Sequence, residues 1–169
     1  THNHLELTIR CLQALYAHTR TPFHLIITDY STDLTPLYLN QFCKEHDNVT
    51  YIRSDKGTAR CGNEFFNLAL RHAKTEFMTT VMNSVRVEPD WDIGPLQIMQ
   101  ENPQVAIVGL KCLLSDGRIE SAGIAMNGWV PCDVGRDHPG HHFSLSYEVE
   151  ACQWAFALLR KKAVQGNLD

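Results

Sequence analysis

At 169 residues, 44% of them hydrophobic, the chain is long enough for one domain with a real core. Its net charge of −4 argues against a nucleic-acid or anionic-membrane surface, and no apolar run is long enough to span a bilayer. Six scattered cysteines without a Cys-x-x-Cys pair read as reduced, mostly buried thiols of a cytosolic protein, not as a disulfide framework.

Leu5, Ile9, Leu12 and Leu15 recur at helical spacing and predict a first helix that ends before Thr21-Pro22. Asn3 is placed to cap it, and Glu6 lies in its first turn, where the helix dipole favours a carboxylate. Leu25, Ile26 and Ile27 form a short apolar run that suits a strand buried on both faces of a parallel sheet. It stops at Thr28-Asp29, and ligands of open α/β sheets bind outside such strand ends. Ser31, Thr32 and Asp33 follow, with oxygens that can cap a helix over 34–45. Asp29 and Asp33 therefore have two readings of equal weight: ligand contacts, or turn and cap residues.

A second parallel strand is predicted over 49–52. The loop 54–62 has two glycines and the basic residues Lys56 and Arg60, with Arg53 just before it. A helix over 63–74 and a central strand over 77–81 come next, and then a short helix beginning at Pro89-Asp90-Trp91 and running to Gln100. Beyond it the pattern predicts a strand over 105–113, a tight turn at Ser115-Asp116-Gly117 and a returning strand over 118–124. Pro131, Gly135, Pro139 and Gly140 predict a long loop over 129–143. A short strand over 148–151 and a segment over 154–159 lead into Arg160-Lys161-Lys162.

Several segments together resemble family 2 glycosyltransferases of the GT-A fold. Ile-Ile-Thr-Asp-Tyr-Ser-Thr-Asp-Leu-Thr resembles the family's "vvD-x-S-x-D-x-T" segment, and Thr1-His2-Asn3 the end of its opening "strand then t-y-N". Asn67, Ala69, Ala73, Glu76 and Phe77 match its "N-x-a-i-x-x-a-x-g-e-y". Val87-Glu88-Pro89-Asp90-Trp91 resembles "v-x-p-x-W". The run from Asp116 to Gly123 resembles the "dGrIqhaG" of rhamnosyltransferase-like members, and Val149-Glu150-Ala151-Cys152 with Arg160-Lys161 resembles "veavtgaxxlxRR". The matches keep the family's order along nearly the whole chain.

The resemblance implies a single α/β domain over 1–169, with a mostly parallel, Rossmann-like sheet flanked by helices. It implies a glycosyltransferase that takes a nucleotide-sugar, a UDP- or dTDP-sugar, and a carbohydrate or glycoconjugate acceptor, at a cytoplasmic location or the cytoplasmic face of a membrane. Donor contacts fall to Thr1, Asn3, Asp29, Asp33, Arg60, Asn67, Asn83 and Ser84, with His2 a candidate to stack on the base. The family opens with an apolar strand ahead of "t-y-N" and carries its catalytic Glu-Asp after the position of Asp169. The chain is therefore expected to be the donor-binding part of a larger enzyme, and no catalytic base is assigned within it.

The pattern departs from the family where a carboxylate pair usually holds Mg²⁺ or Mn²⁺ against the leaving diphosphate. Met82-Asn83-Ser84 stands there, with Ser84 at the metal-binding position. Three arrangements stay open: Asp90 or Asp92 substitutes, cations such as Arg60 replace the metal, or activity is lost and the chain is a carbohydrate-binding or assembly module. Asp133, Asp137, His138, His141 and His142 form a second ligand-rich group, which reads as a metal site, a polar lid or surface histidines. A dinucleotide-binding oxidoreductase, a phosphate-loop protein and a serine hydrolase are disfavoured, because Gly-x-Gly-x-x-Gly, Gly-Lys-Ser/Thr and Gly-x-Ser-x-Gly motifs are lacking.

Overall fold

The computed structural model describes residues 1–54 and 62–165. In chain order these form α1 (Leu5–His18), β1 (Leu25–Asp29), α2 (Thr35–Glu45), β2 (Val49–Arg53), α3 (Gly62–His72), β3 (Phe77–Val81) and α4 (Ile93–Glu101). There follow β4 (Ile107–Gly109), β5 (Cys112–Leu113), β6 (Ile119–Ser121), β7 (Ile124–Asn127), β8 (Val130–Asp133), β9 (Phe156–Arg160) and α5 (Lys161–Gln165). Lys56 and Arg60 lie outside the described residues.

The helix-crossover pattern of the first half holds. β1 and β2 pair in parallel, from Leu25 opposite Val49 to Asp29 opposite Arg53, with α2 as the crossover. One mostly parallel sheet does not follow. The strands fall into small sheets: β1–β2, an antiparallel β3-β9-β4, and the antiparallel pairs β5–β6 and β7–β8. The reason is β9, whose apolar run slots antiparallel between β3 and β4 with all five residues buried. Burial on both faces hides the alternation that would have marked it as a central strand.

Other expectations are corrected locally. The strand over 105–113 is split, because the chain leaves β9 at Leu110 and β5 pairs with β6 instead. The returning strand breaks at Gly123, where φ is +124° and a Cβ would meet Val149 Cγ1 at 2.5 Å. The loop over 129–143 contains β8, half of a hairpin whose turn is Gly128 and Trp129. The strand over 148–151 reduces to one bridge, Ala151 with Ile124. The short helix begins at Ile93, not at Pro89.

α1 packs into two cores. Cys11, Ala14 and Leu15 join Val87 and Phe156, while Leu12 joins Ile27, Leu39 and Phe42. One helix therefore ties the β1–β2 pair to the β9 sheet, which share no strand pairing.

The second sheet is fastened by Arg160. Its buried guanidinium donates to the carbonyls of Met99 at 2.6 Å, Asn102 at 3.4 Å and Val105 at 3.2 Å, pairs with Glu76, and lies 5.0 Å from the Phe77 ring. A cation at the C-terminal carbonyls of α4 suits the helix dipole. Arg160→Ala removes the charge that those buried acceptors need and is expected to cost roughly 3–5 kcal/mol in urea unfolding. Arg160→Lys keeps the charge but loses the planar fork, and should recover only part of that stability.

Candidate functional site

The site is built where β1 ends. Asp29, the last residue of β1, is fully buried. Its Oδ1 accepts from Thr1 Oγ1 at 2.8 Å, Ser31 N at 3.0 Å and Ser31 Oγ at 2.6 Å. Its Oδ2 accepts from Tyr51 Oη at 2.8 Å and Arg53 Nη1 at 3.0 Å. Burial opposes the charged form, yet the hydrogen bonds from Ser31, Thr1 and Tyr51 outweigh it and hold the carboxyl below its ordinary value of 3.8. Tyr51 responds in the opposite sense, pushed up to about 12 by burial and by its bond to Asp29.

The start of the chain is laced into the same rim. Thr1 N donates to Thr28 O at 2.6 Å, and Tyr30 N donates to Thr1 O at 3.3 Å. Asn3 N donates to Ser31 Oγ at 2.7 Å. Asn3 Oδ1 accepts from Thr32 N at 2.7 Å and Asp33 N at 3.3 Å. Asn3 was expected to cap α1. It caps the turn before α2 instead, and α1 starts from His4 without a side-chain cap. Asn3 and His4 both have positive φ, 55° and 60°. Such a conformation costs roughly 1–2 kcal/mol per residue, less for Asn, so the bonds around Asn3 hold the chain in it.

Asn83 reaches this network from the end of β3. Its Nδ2 donates to Asn3 O at 3.1 Å and to Thr8 Oγ1 at 3.0 Å. Ser84 is exposed in the turn beside it. Asp33 is exposed, and its Oδ1 accepts from Thr35 N at 2.9 Å in the first turn of α2. Thr1, Asn3, Asp29, Asp33, Asn83 and Ser84 thus lie on one rim. Asn67 is half-buried on α3, with no hydrogen bond among the described residues, and Arg60 lies outside them. His2 stacks on Tyr30 at 4.3 Å between ring centroids, and Tyr30 stacks in turn on Phe65 at 4.6 Å. A cavity of 640 Å³ opens beside this stack, between β1 and β3.

Asp90 and Asp92 do not join the rim. Asp90 pairs with Arg20, and buried Asp92 accepts from Arg20 N at 3.1 Å and Thr21 N at 2.8 Å. Those partners lie just ahead of β1, at the opposite end of the strand, so neither carboxylate substitutes for a metal ligand at Ser84. At the end of β3, where the metal-holding carboxylate pair was expected, the donors are the neutral amide of Asn83 and the hydroxyl of Ser84, beside Asp29, whose oxygens are already taken. This set does not fit a divalent cation. The second ligand-rich group is also committed: Asp137 binds Arg118 at 2.6 Å and Asp133 binds Arg136 at 3.0 Å. His138 and His142 stand 5.7 Å apart between ring centroids, and no metal-ligand cluster occurs among the described residues.

Sequence reasoning missed Tyr51 as a partner of Asp29 and read Arg53 only as a loop cation. The signal was the strand register. Arg53 ends β2 directly opposite Asp29, and Tyr51 is two residues earlier, on the same face.

Asp29→Ala is expected to lower the unfolding free energy by roughly 3–5 kcal/mol, since it leaves Arg53, Tyr51 and Ser31 without their common acceptor. A carboxyl whose folded pKa lies below its unfolded value stabilises above the unfolded value and loses that contribution as pH falls through the folded one. Urea titrations between about pH 5 and about pH 2 should therefore show a steeper acid loss in the unaltered chain than in Asp29→Ala.

Comparison with curated proteins finds no match. Among solved structures, the chain is similar to a mannosyltransferase, PcManGT from Pyrobaculum calidifontis, described in complex with GDP-Man and Mn²⁺. The identity is 22% and the TM-score 0.55, covering 66% of this chain and 34% of that one, so the likeness speaks to the fold alone. This chain spans about a third of that protein's length. The sequence pattern described as Glycosyl transferase family 2 matches residues 1–166. With that match over nearly its whole length, and a GT-A-like α/β fold beneath it, the chain belongs to glycosyltransferase family 2.

Proposed function

We propose that the chain binds the nucleotide-sugar in a glycosyl transfer from a UDP- or dTDP-sugar to an acceptor hydroxyl of a carbohydrate or glycoconjugate, in the manner of the rhamnosyltransferase-like members. The observation that carries this reading is the convergence of the ends of β1 and β3. Asp29 and Asn83 are linked through Ser31 and Asn3 at one rim, beside a large cavity. Sheet rims of this kind are where α/β folds take nucleotides.

In this reading Asp29 acts through its neighbours. With its oxygens occupied, it fixes Thr1, Ser31 and Arg53, which shape the wall met by the base and ribose. Asn3, Asp33 and Asn67 line the donor side, and Asn83 and Ser84 lie beside the diphosphate. Arg60, with Lys56 second, supplies positive charge for the diphosphate as the glycosyl bond breaks. No step is assigned to Mg²⁺ or Mn²⁺. The base that deprotonates the acceptor is not assigned among these residues.

One observation favours a second reading, a non-catalytic carbohydrate-binding or assembly module: the rim holds the neutral Asn83 and Ser84 where a metal-holding carboxylate pair would serve catalysis. Calorimetry with UDP and Mn²⁺ separates the two when combined with sugar-nucleotide hydrolysis by the full-length protein. Donor binding with hydrolysis supports the enzyme, and absence of nucleotide binding supports the module. Ser84→Asp adds a carboxylate at an exposed position, and should tighten Mn²⁺-dependent UDP binding about tenfold or more. An unchanged affinity would show that Ser84 is not beside the diphosphate.

A further inference from the structure

Trp154 lies just ahead of β9, where that strand meets the end of β3, and it is 44% exposed. Thr80 Oγ1 donates to the Trp154 carbonyl at 2.9 Å, and Met82 N donates to the next carbonyl, that of Ala155, at 3.0 Å. The backbone of Trp154 is therefore tied to the same end of β3 that leads into Asn83 and Ser84. Its ring meets Phe66 of α3 edge to face, with 4.7 Å between centroids at 73°. One contact of that kind holds an indole in place without covering both of its faces. Single exposed apolar residues are common on protein surfaces. This one is fixed at both backbone and ring, so little of its freedom is left for a ligand to remove.

The residue also sets this chain apart from the pattern it otherwise follows. Counted from Val149, the segment "veavtgaxxlxRR" has glycine at position 154. The chain keeps Ala155, Leu158 and Arg160 of that segment and places an indole where the pattern has no side chain. A held indole is suited to a sugar ring. A pyranose carries its hydroxyls around the ring and leaves a patch of C–H groups on one side, the apolar surface of an otherwise hydrated molecule, which packs against an aromatic face. Polar groups for the hydroxyls are close by. Asn83 lines the same cavity as Trp154 and commits its Nδ2 to Asn3 O and Thr8 Oγ1, while its Oδ1 accepts from no donor among the described residues. Ser84, next in the chain, is exposed. An apolar platform with a few polar groups beside it is the usual make-up of a small-ligand site.

We propose that Trp154, backed by Phe66, is the platform on which a pyranose ring stacks at this rim, and that it is a specificity-determining residue for the sugar. The inference rests on the donor reading above, in which Asn83 and Ser84 lie beside the diphosphate. The ring belongs to the sugar being transferred or to the acceptor. Both present the same C–H face, and the experiment separates them.

Calorimetry on the full-length protein tests this with Trp154→Gly, Trp154→Leu and Trp154→Phe. In the donor arm, UDP and dTDP are compared with their glucose, galactose and rhamnose conjugates. In the acceptor arm, the methyl glycosides of the same sugars are titrated with the nucleotide present. Stacking of the donor sugar predicts that Trp154→Gly and Trp154→Leu weaken the best-bound sugar nucleotide about tenfold and leave the free nucleotide unchanged. Stacking of the acceptor predicts a similar loss for the best-bound methyl glycoside, with the sugar nucleotide unchanged. Trp154→Phe keeps a ring and should retain most of the affinity in either arm. If Trp154→Gly does not fold, Trp154→Leu against Trp154→Phe decides, since the first keeps bulk and the second keeps the aromatic face. No sugar-dependent loss in either arm overturns the platform and leaves the donor reading standing. Equal weakening of nucleotide and sugar nucleotide also overturns it, because that marks a role in the fold. Absence of UDP and dTDP binding to the unaltered protein overturns the donor reading and the platform with it.

Discussion

The carboxylate of Asp29 is the point on which the rim depends. It is shielded from solvent and collects donors from Thr1, Ser31, Tyr51 and Arg53, that is, from the chain start, its own turn and the neighbouring strand. A buried charge is tolerated only when its acceptor sites are filled, and here the filling groups gain fixed positions in return. The positive φ angles of Asn3 and His4 are held by the same set of bonds. A residue expected to meet a ligand is thus, in this structure, the one that holds the others.

The wider architecture follows from how apolar surface is shared. α1 divides its buried residues between two cores, and so connects sheets that do not pair with each other. Arg160 does comparable work at the far side, where a single guanidinium answers the carbonyls ending α4 and the carboxylate ahead of β3. Between β1 and β3 lies the 640 Å³ cavity.

The neutral pair Asn83 and Ser84 gives this member of glycosyltransferase family 2 its individual character. Asn83 uses its amide to hold Asn3 and Thr8, and Ser84 faces solvent. Asp90 and Asp92 are spent on the turn between α1 and β1.

Periodicity in the sequence was enough to locate α1, β1, α2, β2, α3 and β3, because amphipathic helices and short apolar runs are local signals. The ordered family motifs likewise pointed to a rim holding Asp29, Asn83 and Ser84 together. The antiparallel insertion of β9, the β7–β8 hairpin and the division of the strands into small sheets were not legible, since a short apolar or turn-rich run is compatible with several partners. Tertiary structure alone decided what Asp29 does. Its donors come from positions 28, 22 and 24 residues away as well as from the adjacent turn. Whether a carboxylate is free to meet a ligand depends on which hydrogen-bond donors surround it in space, and local sequence does not record that.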